Sequence, residues 1–133
     1  MFYFAYGSNL NRKQMKERCP DAKAKVSATL HHYKLIFCGW SRNWHGGTAS
    51  IKGQRGQRVP GGVYEISDVC RRKLDRHQGY PVTYDRINII VNTDTGEAIE
   101  AFTYIKKQQA EETKPSPEYL KIIKQGYIDW GLV

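Results

Sequence analysis

Cysteine is scarce in this chain, and no long apolar run is present. The three cysteines, Cys19, Cys38 and Cys70, are odd in number and form no C-x-x-C pair, which argues against a disulfide framework and against a zinc ribbon. The apolar start at residues 1–6 has no basic leader and runs into a Gly-Ser-Asn turn, so it is too short for a signal peptide or a membrane span. Reduced thiols and the lack of a visible targeting segment predict a cytoplasmic protein.

Acidic residues are also few in the first half of the chain. Residues 1–60 contain 11 Lys and Arg but only 2 Asp and Glu, whereas residues 61–133 contain 10 and 11, and the net charge is +8. Such a field favours an anionic partner, which is either a nucleic acid or a small carboxylate. A basic surface that is merely solvated has the same composition.

An aromatic and basic stretch provides the main nucleic-acid alternative. Trp40, Arg42, Trp44 and His45 can stack on the bases of a single strand and pair with its phosphates. The stretch carries no recognisable module signature, and its aromatic rings can equally pack at the rim of a pocket or in the core.

Signals for a metal or a nucleotide cofactor are missing as well. His31, His32, His45 and His77 have neither the i, i+4 spacing nor the paired cysteines of a zinc site. The Gly-Ser-Asn turn at residues 7–9 lacks the lysine of a phosphate-binding P-loop and the G-x-S-x-G elbow of a hydrolase. The sequence therefore predicts no metal and no cofactor.

What the chain does contain is enough apolar material for one core. It has 133 residues, of which 40% are hydrophobic, so we expect a single domain over residues 1–133. Sequence patterns predict strands at residues 1–6, 26–30, 33–38, 48–52, 59–65, 86–91 and 98–105, and helices at residues 11–18, 68–77 and 117–125. Strands outnumber helices and the helices are scattered among them, which predicts an α+β fold around a mixed, barrel-like sheet.

Helix caps and loops complete this prediction. Asn11 is the expected cap of the first helix, with Gln14 in a box-like position, and Asp68 and Ser116 are the expected caps of the second and third helices. Gly79 is expected to end the second helix. The loops are predicted at residues 39–47, at the turn over residues 53–58, and at the polar, exposed stretch of residues 106–114.

The first loop is the best candidate for a binding site. A strand that stops at Gly7, Ser8 and Asn9 and passes into a helix presents several backbone N–H groups, which can bind a carboxylate or a phosphate. A plain turn with a capping Asn would have the same sequence. The residues alone leave both interpretations open.

The same loop resembles the opening signature of the γ-glutamylcyclotransferase family, which includes the AIG2-like proteins. Residues 3–10 are YFAYGSNL, and four further pieces follow in the family's order. These pieces are WHGG at residues 44–47, GGVY at 61–64, the Leu74-Asp75 pair before Gly79, and PSPEY at 115–119. The series covers nearly the whole chain, so we identify the chain as similar to this family throughout.

The resemblance implies the metal-free cleavage of a γ-glutamyl amide to 5-oxoproline and a free amine. It implies that Tyr6, Gly7, Ser8, Asn9 and Leu10 hold the glutamyl group and that Tyr119 lines the substrate site. The leaving amine cannot be deduced from the sequence.

One residue departs from the family pattern. The family's general base is a Glu directly before the Gly that follows the Leu-Asp pair, and this chain has Gln78 there. A glutamine amide cannot accept a proton at neutral pH, although it keeps the shape and hydrogen bonding of glutamate. Three explanations remain open: an engineered inactivation, a natural loss of activity, or another base such as Asp75, His77 or Asp85.

Asp75 has a simpler interpretation, because a carboxylate on a helix surface can pair with Arg71 or Arg72 nearby. The alternative functions are a catalytically silent binder of γ-glutamyl or amino-acid ligands and a basic nucleic-acid-binding module.

Overall fold

The computed structural model describes residues 1–109 and 111–133. Within these residues the chain forms five strands and three α-helices, joined by turns and loops. The strands are β1 Phe2–Ala5, β2 Lys23–Ser41, β3 Gly46–Glu65, β4 Tyr84–Asn92 and β5 Ala98–Lys106. The helices are α1 Arg12–Arg18, α2 Asp68–Gln78 and α3 Pro117–Asp129, and a short 3-10 turn spans Ser8–Leu10.

The strands close into a barrel in the order β1-β3-β2-β4-β5. β1 pairs antiparallel with β3 and parallel with β5, so that Tyr3 lies opposite Tyr64 on one side and Phe102 on the other. All other strand pairs are antiparallel. This mixed barrel with flanking helices confirms the fold class predicted from the sequence.

The long hairpin of β2 and β3 differs from the prediction. Each strand was expected as two short strands, but both halves of β3 pair with β2, as in Leu30 opposite Val59 and Leu35 opposite Ile51. The register shifts at His32, which has a φ of 65°. Within the expected turn at residues 53–58, the four residues 54–57 of β3 lie opposite this single residue of β2 as a bulge.

The loop predicted at residues 39–47 is also shorter in the structure. β2 extends to Ser41, which pairs with Gly46, and only residues 42–45 form the turn. Strand pairing therefore continued past the point at which the apolar alternation stopped.

The first two helices begin close to where the sequence predicts. The Asn11 side chain accepts the Gln14 N–H at 3.0 Å, which confirms the cap of α1. The expected cap of α2 was wrong by one residue: Ser67, not Asp68, accepts the Cys70 N–H at 3.1 Å. The Asp68 side chain instead lies in the first turn, where a carboxylate suits the positive end of the helix dipole.

The third helix supports the loop that precedes α1. Ser116 caps α3 as predicted, and the helix continues past the expected end to Asp129. Gly126 lets it approach closely, since a Cβ there would lie 2.6 Å from the Leu10 Cβ. After the helix, the Trp130 indole N–H donates to the Leu10 carbonyl at 2.8 Å. α3 therefore fixes the position of the candidate binding loop.

The cysteines depart from the expected reduced state. Cys19 follows α1 and Cys70 lies in the first turn of α2, and the two form a disulfide although they are 51 residues apart in the sequence. Spacing along the chain could not show that the two helices meet. Cys38 is a free, buried thiol.

Two negative findings concern only the part of the chain that the structure describes. Among those residues, no helix has both the length and the apolar character needed to cross a membrane. The same residues include no group of three or more His, Cys, Asp and Glu side chains placed to hold a metal ion.

Candidate active site

A cavity of about 360 Å³ lies where the loop before α1 meets the end of α2. Most of the predicted site residues line it: Tyr6, Gly7, Ser8, Asn9, Gln78 and Tyr119. They come from three distant parts of the sequence. Leu10 is the exception, because it is completely buried beneath the loop and contacts Gly126 and Trp130 instead.

Side chains around the loop hold it in one conformation. Asn9 is 2% exposed, and its amide donates to the Tyr3 hydroxyl at 3.0 Å and accepts from the Arg18 guanidinium at 2.9 Å. The Gln14 amide donates to the Ser8 hydroxyl at 2.9 Å instead of completing the predicted capping box. Within the described residues, the N–H groups of Gly7, Ser8 and Asn9 donate to no protein acceptor. They are available to an anionic ligand.

Two tyrosines hold the part of the cavity wall that Ala49 forms. The Ala49 N–H donates to the Tyr119 hydroxyl at 2.9 Å, and the Tyr84 hydroxyl donates to the Ala49 carbonyl at 2.8 Å. A Cβ on Gly7 would lie 3.1 Å from the Ala49 Cβ and 3.8 Å from the Tyr119 hydroxyl oxygen. Loop and wall are therefore close enough to contact one small ligand together.

The phenols in this cavity act as hydrogen-bonding groups. Burial raises the pKa of Tyr3 to about 12, although the Asn9 hydrogen bond opposes the shift. Burial also raises the pKa of Tyr119 to about 12 and the pKa of Tyr84 further. These hydroxyls keep their protons at neutral pH and cannot serve as free bases there.

Gln78 is the last residue of α2. Gly79 follows it in the left-handed conformation, with φ 67°, and confirms the predicted end of the helix. The half-buried Gln78 side chain lines the cavity.

The three alternative bases lie in different surroundings. His77 lines the cavity at its exposed edge, and burial together with the charges of Arg18 and Arg76 lowers its pKa. Asp85 is exposed, and its carboxylate accepts the N–H of the next residue at 2.9 Å.

Asp75 does not line the cavity. It accepts a 2.6 Å hydrogen bond from the Tyr104 hydroxyl and lies 3.7 Å from Nε of Arg86. The expected pairing with Arg71 or Arg72 was therefore wrong, since the partners come from β4 and β5 and not from α2 itself.

Sequence reasoning missed Lys106. It was placed in an exposed polar stretch, but it is the last residue of β5, only 9% exposed, and it lines the cavity. Its ammonium donates to the Cys38 carbonyl and lies 5.6 Å from the Tyr84 ring centre, and burial lowers its pKa. A signal was available, because Lys106 is two residues after the buried Tyr104 and so shares its face of the strand. Ala110, in the same stretch, lies outside the described residues.

The two tryptophans of the stretch that was a candidate for binding nucleic acid lie in different environments. Trp44 packs against Tyr119 with ring centres 5.1 Å apart, at the rim of the cavity. Trp40 also borders the cavity but is 67% exposed. Both tryptophans therefore border the cavity, which was the alternative to nucleic-acid binding that the sequence left open.

Comparison with known proteins identifies the family of this chain. The family model for gamma-glutamyl cyclotransferase, AIG2-like proteins matches residues 3–127. The chain belongs to this family. A gamma-glutamylcyclotransferase from Bos taurus is 35% identical over 135 residues, which cover 98% of this chain and 71% of the relative. A gamma-glutamylcyclotransferase from Homo sapiens is 36% identical with the same coverage.

The fold of this cyclotransferase-family chain also matches a solved structure. A gamma-glutamyl cyclotransferase structure superposes with a TM-score of 0.94 at 36% identity, covering 99% of this chain and 80% of that chain. The matched range, residues 3–127, spans all the residues that line the cavity.

Proposed function

We propose that this chain binds γ-glutamyl amides in the cavity and cleaves them to 5-oxoproline and a free amine. The observation that carries the proposal is that one small cavity brings together the loop N–H groups, Tyr119 and the end of α2 at Gln78. Membership of the family and the likeness to gamma-glutamylcyclotransferases support the same reaction. The cytoplasm is the proposed place of this reaction.

In the proposed complex the α-carboxylate of the glutamyl group lies against the N–H groups of Gly7, Ser8 and Asn9. The α-nitrogen of the same group then attacks its own γ-carbonyl carbon, a five-membered ring forms, and the bond to the leaving nitrogen breaks. A well-oriented intramolecular attack of this kind reaches effective molarities of about 10⁵ to 10⁸ M. Holding the glutamyl group in a bent conformation is thus the main task of the cavity.

The protons must also be moved. Two protons leave the α-ammonium as it becomes the lactam N–H, and the leaving nitrogen gains two protons as it becomes an ammonium. A carboxylate at position 78 would carry them one at a time, first as base and then as acid. The Gln78 amide can do neither, so the chain with glutamine is expected to be slow.

The first prediction is therefore that Gln78→Glu increases 5-oxoproline release by about 10²- to 10⁴-fold, the usual contribution of a general base. Both forms are assayed on several γ-glutamyl amides, and binding of each amide is measured in parallel by calorimetry. Gln57→Glu is the matched control, because it adds the same charge at an exposed position of β3 away from the cavity.

Equal turnover by the glutamine form and Gln78→Glu, with substrate bound in both, contradicts this role for position 78. His77→Ala and Asp75→Asn then identify the group that takes the proton. Removal of divalent metals with a chelator is expected to leave turnover unchanged in every form.

A second candidate function is a silent binder of γ-glutamyl ligands, and the neutral Gln78 side chain is the observation that favours it. This function predicts stabilisation of the fold by γ-glutamyl compounds without any 5-oxoproline release, even after prolonged incubation.

A further inference from the structure

The charged side chains that line the cavity affect which ligands it could bind. Arg18, Arg76 and Lys106 line it, and among the described residues no carboxylate does. None of the three cations belongs to an ion pair within the described part of the chain. Within the described residues, no carboxylate therefore lies at ion-pair distance from any of these three cations.

Lys106 is the most buried of these cations. Its ammonium has one protein acceptor among the described residues, the Cys38 carbonyl, and it lies beside the Tyr84 ring. A buried ammonium without a counter-charge is unfavourable unless something pairs with it. A carboxylate that entered the cavity would supply that counter-charge and would favour the charged form of the amine.

The neutral side chain of Gln78 also disfavours a ligand that carries an α-ammonium group. A glutamate there would offer a negative charge to the α-ammonium of a glutamyl ligand, whereas Gln78 offers none. The α-ammonium would then lie in a cavity whose charged lining residues among those described, Arg18, Arg76 and Lys106, are all cationic. An uncompensated like charge inside a cavity discriminates against a ligand.

We propose that Lys106 and Gln78 together make this cavity select carboxylate ligands that lack an α-ammonium group. This selectivity rests on the proposed function, since it places the ligand in the same cavity. 5-Oxoproline belongs to the preferred class, because ring closure has turned its amine into a neutral lactam N–H. The amide of Gln78 can donate to the lactam oxygen and accept from the lactam N–H. The product is therefore held more tightly than the substrate.

Two ligands that differ only in the amine provide the test. L-Glutamine is the simplest γ-glutamyl amide, and 4-carbamoylbutanoate is the same molecule without the α-ammonium. Binding of both, and of 5-oxoproline, is measured by calorimetry at low ionic strength. The proteins are the unaltered chain, Lys106→Met, Gln78→Glu, and Lys124→Met as a control for the loss of one positive charge at an exposed site on α3.

The unaltered chain is expected to bind 4-carbamoylbutanoate and 5-oxoproline about tenfold or more tightly than L-glutamine, as befits a charged hydrogen bond. Lys106→Met weakens the binding of both anions by about the same factor, while Lys124→Met changes nothing. Gln78→Glu reverses the order, so that L-glutamine binds most tightly. This variant tests the inference even if Lys106→Met does not fold.

Equal or tighter binding of L-glutamine by the unaltered chain overturns the inference. If that result comes with 5-oxoproline release, the proposed function stands and only the selectivity fails. If the anions are preferred but Gln78→Glu releases no 5-oxoproline, the proposed cyclotransfer fails and the selectivity stands. Absence of binding by all three ligands overturns both.

Discussion

At the scale of single residues, Gly7 determines whether the loop can accept a ligand. Its surroundings leave little room for a side chain, because a Cβ would lie 3.1 Å from the Ala49 Cβ and 3.8 Å from the Tyr119 hydroxyl oxygen. Because Gly7 has only a hydrogen atom in place of a side chain, the loop N–H groups remain accessible.

We predict that Gly7→Val weakens the binding of 5-oxoproline and of γ-glutamyl amides by more than about tenfold, since its methyl groups occupy the place of the carboxylate. Calorimetry on the folded variant measures this. Gly53→Val is the control, because nothing lies within 4 Å of a Cβ there. Unchanged affinity in a folded Gly7→Val protein would show that the carboxylate binds elsewhere.

The charge of Lys106 should also affect the free energy of unfolding of the ligand-free protein. Burial lowers its pKa in the folded state below the ordinary value of 10.5. Between those two pKa values the unfolded chain binds more protons than the folded chain, so the contribution of Lys106 to the free energy of unfolding rises with pH across this window. Below the folded-state pKa the full penalty for the buried charge remains.

We therefore predict that the unaltered protein gains stability relative to Lys106→Met as the pH rises toward 10.5, the pKa of lysine in the unfolded chain. Urea unfolding of both proteins at several pH values gives this difference. Lys124→Met, at an exposed position, is expected to show no such trend. A flat difference for Lys106→Met contradicts the lowered pKa.

At the scale of elements, local signals were predictable from the sequence, whereas the continuous pairing of β2 with β3 was not. Asn11 and Ser116 cap their helices as predicted, because capping depends on residues only three positions apart. The hairpin of β4 and β5 was predictable from its alternation around a turn. In contrast, β2 and β3 run through polar and glycine-rich stretches, and their continuity depends on hydrogen bonds to each other.

The end of β5 shows how such a difference affects the site. The predicted strand stopped at residue 105, where the apolar residues stop, but β5 ends one residue later. Because of this difference, Lys106 was not among the predicted site residues. The loop, Gln78 and Tyr119 were predictable through the resemblance to the family. Lys106 and the cationic lining required the three-dimensional arrangement, because Arg18, Arg76 and Lys106 are far apart in the sequence.

At the scale of the whole molecule, the disulfide joins the two helices that hold one side of the cavity. Cys19 directly follows Arg18 at the end of α1, and Cys70 lies in the helix that ends at Gln78. The bond closes a loop that contains all of β2 and β3. A disulfide across a long loop stabilises mainly by restricting the unfolded chain.

The last prediction is that reduction of this bond lowers the free energy of unfolding by about 2–4 kcal/mol, the typical contribution of a disulfide. Urea unfolding with and without a reductant measures the loss, and a thiol assay in denaturant is expected to find one free thiol, Cys38, before reduction and three after it. A double variant, Cys19→Ser with Cys70→Ser, should show the lower stability in both conditions and no response to the reductant. Three reactive thiols in protein denatured without a reductant would mean that the bond does not form, and reduced cysteines would then agree with the cytoplasmic location expected from the sequence.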